Sequence, residues 1–150
     1  MEYKTILIPL DGSELCHDAI EAALPLAAAF GSRVVLLSVL DFNAGLFNIY
    51  YERFSPEDLA VEIRRHLDGV LEKASGRLAA GGVRAETAVE EGEAAEVILG
   101  KAREIGADLI VMTTHGRSGA KRLFLGSVTD AVLRASPCPV LVVRPGGKTR

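Results

Sequence analysis

Five short apolar runs alternate with longer segments along the chain. The runs are Thr5 to Ile8, Val34 to Leu40, Val83 to Val89, Leu109 to Met112 and Val140 to Val143. The first, second and fourth are almost wholly apolar, which is typical of strands that are covered on both faces of a parallel sheet. The third alternates between apolar and polar residues, which favours an edge position. We therefore expect the first, second and fourth strands at the centre of a sheet.

The segments between these runs have the apolar period of amphipathic helices. Four stripes share a helical face: Leu15, Ala19, Ala22, Leu26 and Phe30; Leu59, Ile63, Leu67, Val70, Ala74 and Leu78; Ala94, Ile98, Ala102 and Ile105; and Val128, Ala131, Val132 and Ala135. Gly31, Gly82 and Gly106 stand where the first three helices should end, and Pro25 should kink the first. Regular alternation predicts one α/β domain over residues 1–150, with a doubly wound sheet and right-handed crossovers.

One segment, Asp41 to Phe54, fits neither pattern. It holds five of the eight Phe and Tyr residues of the chain. A loop of this length in a compact domain is typical of a lid or a binding loop, and a cover over the sheet or a dimer contact is an equally open interpretation.

Composition narrows the class of protein. With 49% hydrophobic and 25% charged residues the chain has the profile of an ordinary globular domain, and its net charge of −3 argues against a broad nucleic-acid interface. The first residues lack the pattern of a signal peptide, and no apolar run is long enough to span a bilayer, which predicts a cytoplasmic protein without a membrane partner. Cys16 and Cys138 are expected to be reduced core residues, and no histidine or cysteine spacing predicts a metal site.

The segment from Thr113 to Ser127 carries the clearest chemical signal. It begins at a strand end, contains Gly116, Gly119 and Gly126, and finishes where a helical pattern starts. Glycines in such a position let backbone N–H groups approach a phosphate, and the helix dipole favours an anion. Ser127 and Thr129 add hydroxyl donors, and Arg117, Lys121 and Arg122 add positive charge. Two other interpretations remain open: Ser127 as a plain N-cap, and the basic residues as a solvated face.

Two other strand ends carry groups that suit a nucleotide. Ligands of open parallel sheets bind at the carboxyl ends of the strands, near the point where the strand order reverses. Asp11, after the first strand, can accept hydrogen bonds from ribose hydroxyls, and it or Ser13 can equally cap the following helix. The backbone of Val39, at the end of the second strand, can pair with an adenine edge.

Familiar catalytic signatures are absent from the sequence. There is no GxxxxGK[ST] loop, no GxGxxG fingerprint, no GxSxG elbow and no clear pair of nucleophile and base. The pattern thus predicts a phosphate cradle with no catalytic residue.

Four segments together resemble the universal stress protein family, and the resemblance spans essentially the whole chain. They are Ile6 to Ser13, Asp108 to Gly119, Leu125 to Thr129 and Ser136 to Pro145. The ATP-binding branch of that family has a motif of Gly, two residues, Gly, nine residues, then Gly-Ser or Gly-Thr. Gly116, nine residues and Gly126-Ser127 fit this motif, whereas Thr113 occupies the position of its first glycine.

The resemblance implies a fold, a ligand and an assembly. The implied fold is flavodoxin-like, or Rossmann-like: a five-stranded parallel sheet of order 3-2-1-4-5 with helices on both faces. The implied protein is a homodimer in the stress response, in which ATP with Mg²⁺ acts as a bound signal. The residues expected to hold the nucleotide are Pro9, Leu10, Asp11, Val39, Met112, Thr113, Gly116, Arg117, Ser118, Gly119, Gly126, Ser127, Val128 and Thr129.

In the implied strand order the fifth strand lies at a sheet edge. A bare apolar edge such as Val140 to Val143 is an aggregation hazard that soluble proteins avoid or cover. Antiparallel pairing with the same strand of a second copy covers both edges with one self-complementary patch. We therefore expect a homodimer through this strand.

Three hypotheses for the function follow. The first is a nucleotide-binding module whose ATP is a ligand or is slowly hydrolysed. The second is a dimeric stress scaffold that binds no nucleotide, an interpretation that Thr113 favours. The third is an enzyme that transfers adenylyl or phosphoryl groups, which needs a metal-binding carboxylate and a base. Asp11 and Asp41 are the only obvious candidates for these roles.

Overall fold

The structure, a computed structural model, describes residues 2–13, 16–42, 55–114 and 125–144. Several predictions lie outside these residues. They concern the aromatic loop beyond Phe42, the position of Leu15, and the loop residues Gly116, Arg117, Ser118, Gly119, Lys121 and Arg122.

The described residues form five strands and four helices in alternating order. They are β1 (Thr5–Pro9), α1 (Cys16–Phe30), β2 (Arg33–Leu40), α2 (Pro56–Ala80), β3 (Ala85–Glu91), α3 (Ala94–Glu104), β4 (Leu109–Thr113), α4 (Ser127–Ala135) and β5 (Val140–Val143). All strand pairs are parallel, and the order across the sheet is β3-β2-β1-β4-β5. The predicted flavodoxin-like fold, its central strands and its edge strand β3 are confirmed.

Two apolar layers cover the sheet. Because successive side chains of a strand point to opposite faces, Ile6 and Ile8 pack against α1 and α2, while Leu7 packs against α3 and α4. The central strands are therefore buried on both faces, which explains their nearly continuous apolar runs. In the part of the chain that the structure describes, no helix is both long and apolar enough to cross a membrane.

The buried face of helix α1 shares Ala19 with the predicted stripe but is rotated from the rest of it. Its buried residues are Cys16, Ala19, Ile20, Ala23 and Ala27. The small side chains let the helix approach the sheet closely, whereas Leu26 is half-buried at the rim and Phe30 is 41% exposed. Pro25 lies inside this helix, on its solvent-exposed side. The helix continues past it although proline has no N–H to donate.

Glycines end three helices as the sequence predicts. Gly31, Gly82 and Gly106 follow α1, α2 and α3 with φ angles of 61°, 81° and 61°. In this left-handed region a side chain is disfavoured, so glycine lets the chain reverse into the next strand.

The two central strands β1 and β4 separate towards their carboxyl ends. β1 pairs with β2 over all five residues from Thr5 to Pro9, but it pairs with β4 only at Ile6 and Leu7. From β1 the chain winds to β2 and β3 on one side of the sheet, and later to β4 and β5 on the other. The topological switch point therefore lies between β1 and β4, where the strands leave a crevice.

Candidate functional site

Three strand ends lie side by side at the switch point. β2 ends at Leu40, β1 at Pro9 and β4 at Thr113, in that order across the sheet. Since neighbouring strands lie about 4.8 Å apart, the three ends span about 10 Å. The structure thus brings Val39, Asp11 and Thr113, which were predicted from separate parts of the sequence, to one edge.

The end of β1 is tied to β2 by two hydrogen bonds at Leu10. The N–H of Leu10 donates to the carbonyl of Leu37 at 2.7 Å, and the hydroxyl of Ser38 donates to the carbonyl of Leu10 at 2.9 Å. Ser38 is fully buried. The backbone that leads into Asp11 is therefore fixed from the side of β2.

Asp11 closes a tight turn before α1. Gly12 has a φ of 80°, and the Oδ1 atom of Asp11 accepts from the N–H of Ser13 at 2.9 Å and from the thiol of Cys16 at 3.0 Å. The Sγ atom of Cys16 accepts in turn from the N–H of Asp11 at 3.3 Å. The carboxylate therefore organises the turn that precedes the helix.

The Cys16 thiol stays a hydrogen-bond donor at ordinary pH. Burial raises the pKa of Cys16 to about 11, and the negative charge of Asp11 adds to the effect. Cys16 was expected to be a core residue, and its contact with Asp11 was not predicted. The available signal was its place five residues after Asp11, at the start of the helix that follows the strand end.

The backbone of Val39 points towards the crevice side of β2. Alternate residues of a strand direct their N–H and C=O groups to opposite neighbours: Leu37 accepts from Leu10 after β1, and Leu40 accepts from Gly92 after β3. Val39 stands two residues beyond Leu37 and so directs its backbone groups to the side of β1, past the last hydrogen bond to Leu10. This geometry suits the predicted pairing with the edge of a base.

Helix α4 begins at this edge with an N-terminus that no described side chain caps. Gly126 is the N-cap, with φ of −61° and ψ of 150°, and Ser127 is the first helical residue. The interpretation of Ser127 as the N-cap is therefore wrong, because the chain enters the helix one residue earlier. Free first-turn N–H groups carry the positive end of the helix dipole, which attracts an anion.

The N-termini of α2 and α3 are closed by their own side chains. Ser55 caps α2 by accepting from Asp58, while the carboxylate of Glu93 accepts from Ala95 and Glu96 at the start of α3. Asp41 accepts from Ala94 at the same end of α3. Of these three helices, α4 alone begins without a side-chain cap among the described residues.

Three hydrogen bonds fix the end of β4, two of them to the start of α4 and one to β5. The N–H of Gly126 donates to Thr114 at 2.8 Å, the hydroxyl of Thr129 donates to the carbonyl of Thr113 at 3.0 Å, and Thr114 donates to Val143 at 3.0 Å. The Thr129 hydroxyl, expected to donate to the ligand, is thus already committed and buried. Its backbone N–H is one of the first-turn N–H groups that have no partner within the helix.

Other predicted site residues border the crevice through their backbone. The side chain of Leu10 is buried in the apolar layer that α1 and α2 cover. The side chain of Met112 is buried in the opposite layer, and Val128 packs against that layer. The acidic Asp130 in the first turn of α4 is paired with Arg134 at 2.8 Å, which offsets its charge. Among the residues that the structure describes, no group of three or more His, Cys, Asp or Glu side chains can hold a metal ion.

Comparison with known proteins gives consistent matches over nearly the full length. The model of the universal stress protein family matches residues 2–144. Universal stress protein YxiE of Bacillus subtilis is 37% identical over 150 residues, which cover 95% of this chain and 99% of that protein. Among solved structures, the protein MJ0577 superimposes with a TM-score of 0.82 at 29% identity, covering 96% and 97% of the two chains. A universal stress protein in complex with cAMP gives a TM-score of 0.69 at 26% identity, covering 96% and 98%.

Proposed function

The chain belongs to the universal stress protein family, and we propose that it binds ATP with Mg²⁺ along the carboxyl ends of β2, β1 and β4. The observation that carries this proposal is the uncapped N-terminus of α4, which lies at the end of β4 beside the crevice. A family member with 26% identity to this chain was solved with cAMP, which supports an adenine nucleotide as the class of ligand.

The order of the strand ends suggests the order of the contacts. The adenine edge would pair with the backbone of Val39, the ribose with Asp11, and the phosphates with Ser127, Val128 and Thr129 at the start of α4. Gly116 to Gly119, outside the described residues, are expected to contribute further N–H groups to the phosphates. This arrangement follows the sheet from β2 across β1 to β4.

Mg²⁺ would reach the site on the triphosphate. This ion keeps several waters and is usually held by substrate phosphates with one or two carboxylates rather than by a protein cage. Such binding is compatible with a described edge that offers isolated carboxylates, such as Asp11, rather than a cluster of ligands.

The nucleotide acts in this proposal as a bound signal in a cytoplasmic stress response. The sequence offers phosphate donors but no clear pair of nucleophile and base. We expect hydrolysis below about one turnover per second, the lower end of ordinary enzymes. Faster turnover would favour the phosphoryl- or adenylyl-transfer hypothesis.

The proposed assembly is a homodimer through β5. This strand pairs with β4 on one side and forms an edge of the described sheet on the other. Leu141 in β5 is 37% exposed. A two-fold axis beside β5 would cover this apolar side chain and the open backbone edge together.

A second candidate function is a dimeric scaffold that binds no nucleotide. Thr113, in the position of the first motif glycine, favours it, because a branched side chain can crowd a phosphate or sugar. Native mass spectrometry of freshly purified protein separates the two. Retained adenine nucleotide, or its uptake from added ATP, supports the proposal, whereas a bare chain at millimolar ATP supports the scaffold.

A further inference from the structure

The sulfur of Cys16 contacts both the backbone and the side chain of Asp11. It accepts from the Asp11 N–H at 3.3 Å and donates to Oδ1 at 3.0 Å, and these two contacts close a small ring. The ring restrains the carboxylate relative to its own backbone. Ser13, which donates to the same oxygen at 2.9 Å, adds a second restraint from the turn.

The backbone of Asp11 is restrained separately. Ser38, buried in β2, donates to the carbonyl of Leu10, and Leu10 donates to Leu37. These contacts fix where the residue stands but leave its side-chain torsion open. Ser38 acts on the backbone of this strand end, whereas Cys16 acts on the carboxylate directly.

The Cys16 side chain suits this role because it is buried and neutral. Cys16 is 8% exposed and packs in the apolar layer formed with α1. A protonated thiol can give a hydrogen bond to Asp11 without bringing a second charge into the site. A lysine or arginine at this position would instead neutralise the carboxylate and compete with the ligand for its oxygens.

We propose that Cys16 is a positioning residue that orients the Asp11 carboxylate for the ribose hydroxyls of the bound nucleotide. The proposal rests on the proposed function and deepens it, because it assigns the recognition of the sugar to a pair of residues. Cys16 does not touch the ligand itself. Its effect is therefore specific to ligands that carry ribose hydroxyls.

The test compares ATP with 2′,3′-dideoxy-ATP by calorimetry, both with Mg²⁺. The ratio of the two affinities measures recognition of the ribose hydroxyls. The variants are Cys16→Ala and Cys16→Val, which lack the donor, and Cys16→Ser, which keeps one. Asp11→Asn gives the ratio of the two affinities in the absence of the carboxylate. Cys138→Ser controls for the loss of a thiol elsewhere, because Cys138 lies just before β5. Circular dichroism checks the fold, and Cys16→Val, which fills the space, serves if Cys16→Ala does not fold.

The wild-type chain should prefer ATP, and Cys16→Val should lower this preference about tenfold, as expected for a lost hydrogen bond to a charged group. Cys16→Ser should restore most of the preference, and Cys138→Ser should keep it. If the ratio of the two affinities is unchanged in Cys16→Val, even where both affinities fall equally, the positioning role is overturned while nucleotide binding stands. Failure of the wild-type chain to bind either nucleotide would overturn the proposed function as well.

Discussion

The hydroxyl of Thr129 donates to the carbonyl of Thr113 at 3.0 Å, and so fastens the first turn of α4 to the last residue of β4. Both residues were expected to contact a ligand directly. Their mutual contact gives them a supporting role, because it sets the direction of the helix N-terminus over the crevice. The proposed phosphate site would therefore depend on this bond.

Thr129→Val tests this support. The variant keeps the shape of the side chain but removes the hydroxyl that donates to the Thr113 carbonyl. We expect the free energy of unfolding to fall by about 1–2 kcal/mol and the affinity for ATP to fall several-fold. Urea denaturation and calorimetry measure the two effects. Thr129→Ser keeps the hydroxyl, so it should retain more of both; equal losses in the two variants would contradict the account.

Gly126→Asp should separate stability from binding. An aspartate at the N-cap can accept from the first-turn N–H groups of α4, which stabilises the helix by a few tenths of a kcal/mol relative to glycine. The same carboxylate would occupy and repel the anion site, so the affinity for ATP should fall about tenfold or more.

Gly126→Asn is the matched control for this variant. Its side chain has nearly the same size and also caps helices, but it carries no charge. It should weaken binding less than the aspartate does. Unchanged ATP affinity in Gly126→Asp, measured by calorimetry at low salt, would exclude the N-terminus of α4 as the phosphate site.

The Cys16 thiol should make stability depend on alkaline pH. Its pKa is 9.0 in its ordinary state and about 11 in the folded chain, chiefly because of burial. Between these values the unfolded chain loses the proton while the folded chain keeps it, so stability falls as the pH rises from 9 to 11. A difference of about 2 in pKa corresponds to about 3 kcal/mol.

Cys16→Ser isolates the effect of the thiol, because serine does not titrate between pH 9 and 11 and all other titratable groups of the chain are kept. Wild-type stability should fall relative to Cys16→Ser between pH 9 and 11, and the difference should be constant below pH 9. Denaturant unfolding at a series of pH values measures it. Parallel stability curves for the two proteins would show that the thiol is not buried against Asp11.

Leu141→Lys should weaken the proposed dimer without unfolding the protomer. Leu141 is exposed in β5, so a lysine there meets water in the monomer but a buried interface in the dimer. Val61→Lys is the control. Val61 is 59% exposed on α2, and this helix packs against β2 and β3, towards the sheet edge opposite β5. Analytical ultracentrifugation should show dissociation only for Leu141→Lys. A monomeric wild-type chain at micromolar concentration would contradict β5 pairing.

The fold was predictable because burial on two faces leaves a strong pattern. The central strands appear in the sequence as apolar runs, and Gly31, Gly82 and Gly106 mark the ends of α1, α2 and α3. The inward face of α1 was predicted less well, since alanines pack closest to the sheet while larger apolar residues, such as Leu26 and Phe30, lie at the rim. Spacing alone does not reveal how close a helix lies to a sheet.

The sequence predicted which strand ends lie together at the candidate site. Asp11, Val39 and Thr113 follow separate strands in the sequence, and the parallel order brings their ends together. What the pattern did not reveal was which groups are already paired. The Thr129 hydroxyl donates to the carbonyl of Thr113, and the Cys16 thiol donates to the carboxylate of Asp11. Only the second contact left a signal in the sequence, the place of Cys16 five residues after Asp11.

The most direct test of the central claim is an amide NMR titration of the wild-type chain with ATP and Mg²⁺. Each backbone N–H reports on its own surroundings, so the experiment locates the ligand as well as detecting it. The account predicts saturable shifts at micromolar ATP that centre on Asp11, Val39 and the first turn of α4 from Ser127 to Thr129. Unchanged spectra at millimolar ATP, or shifts confined to another surface such as the groove between α2 and β3, would contradict it.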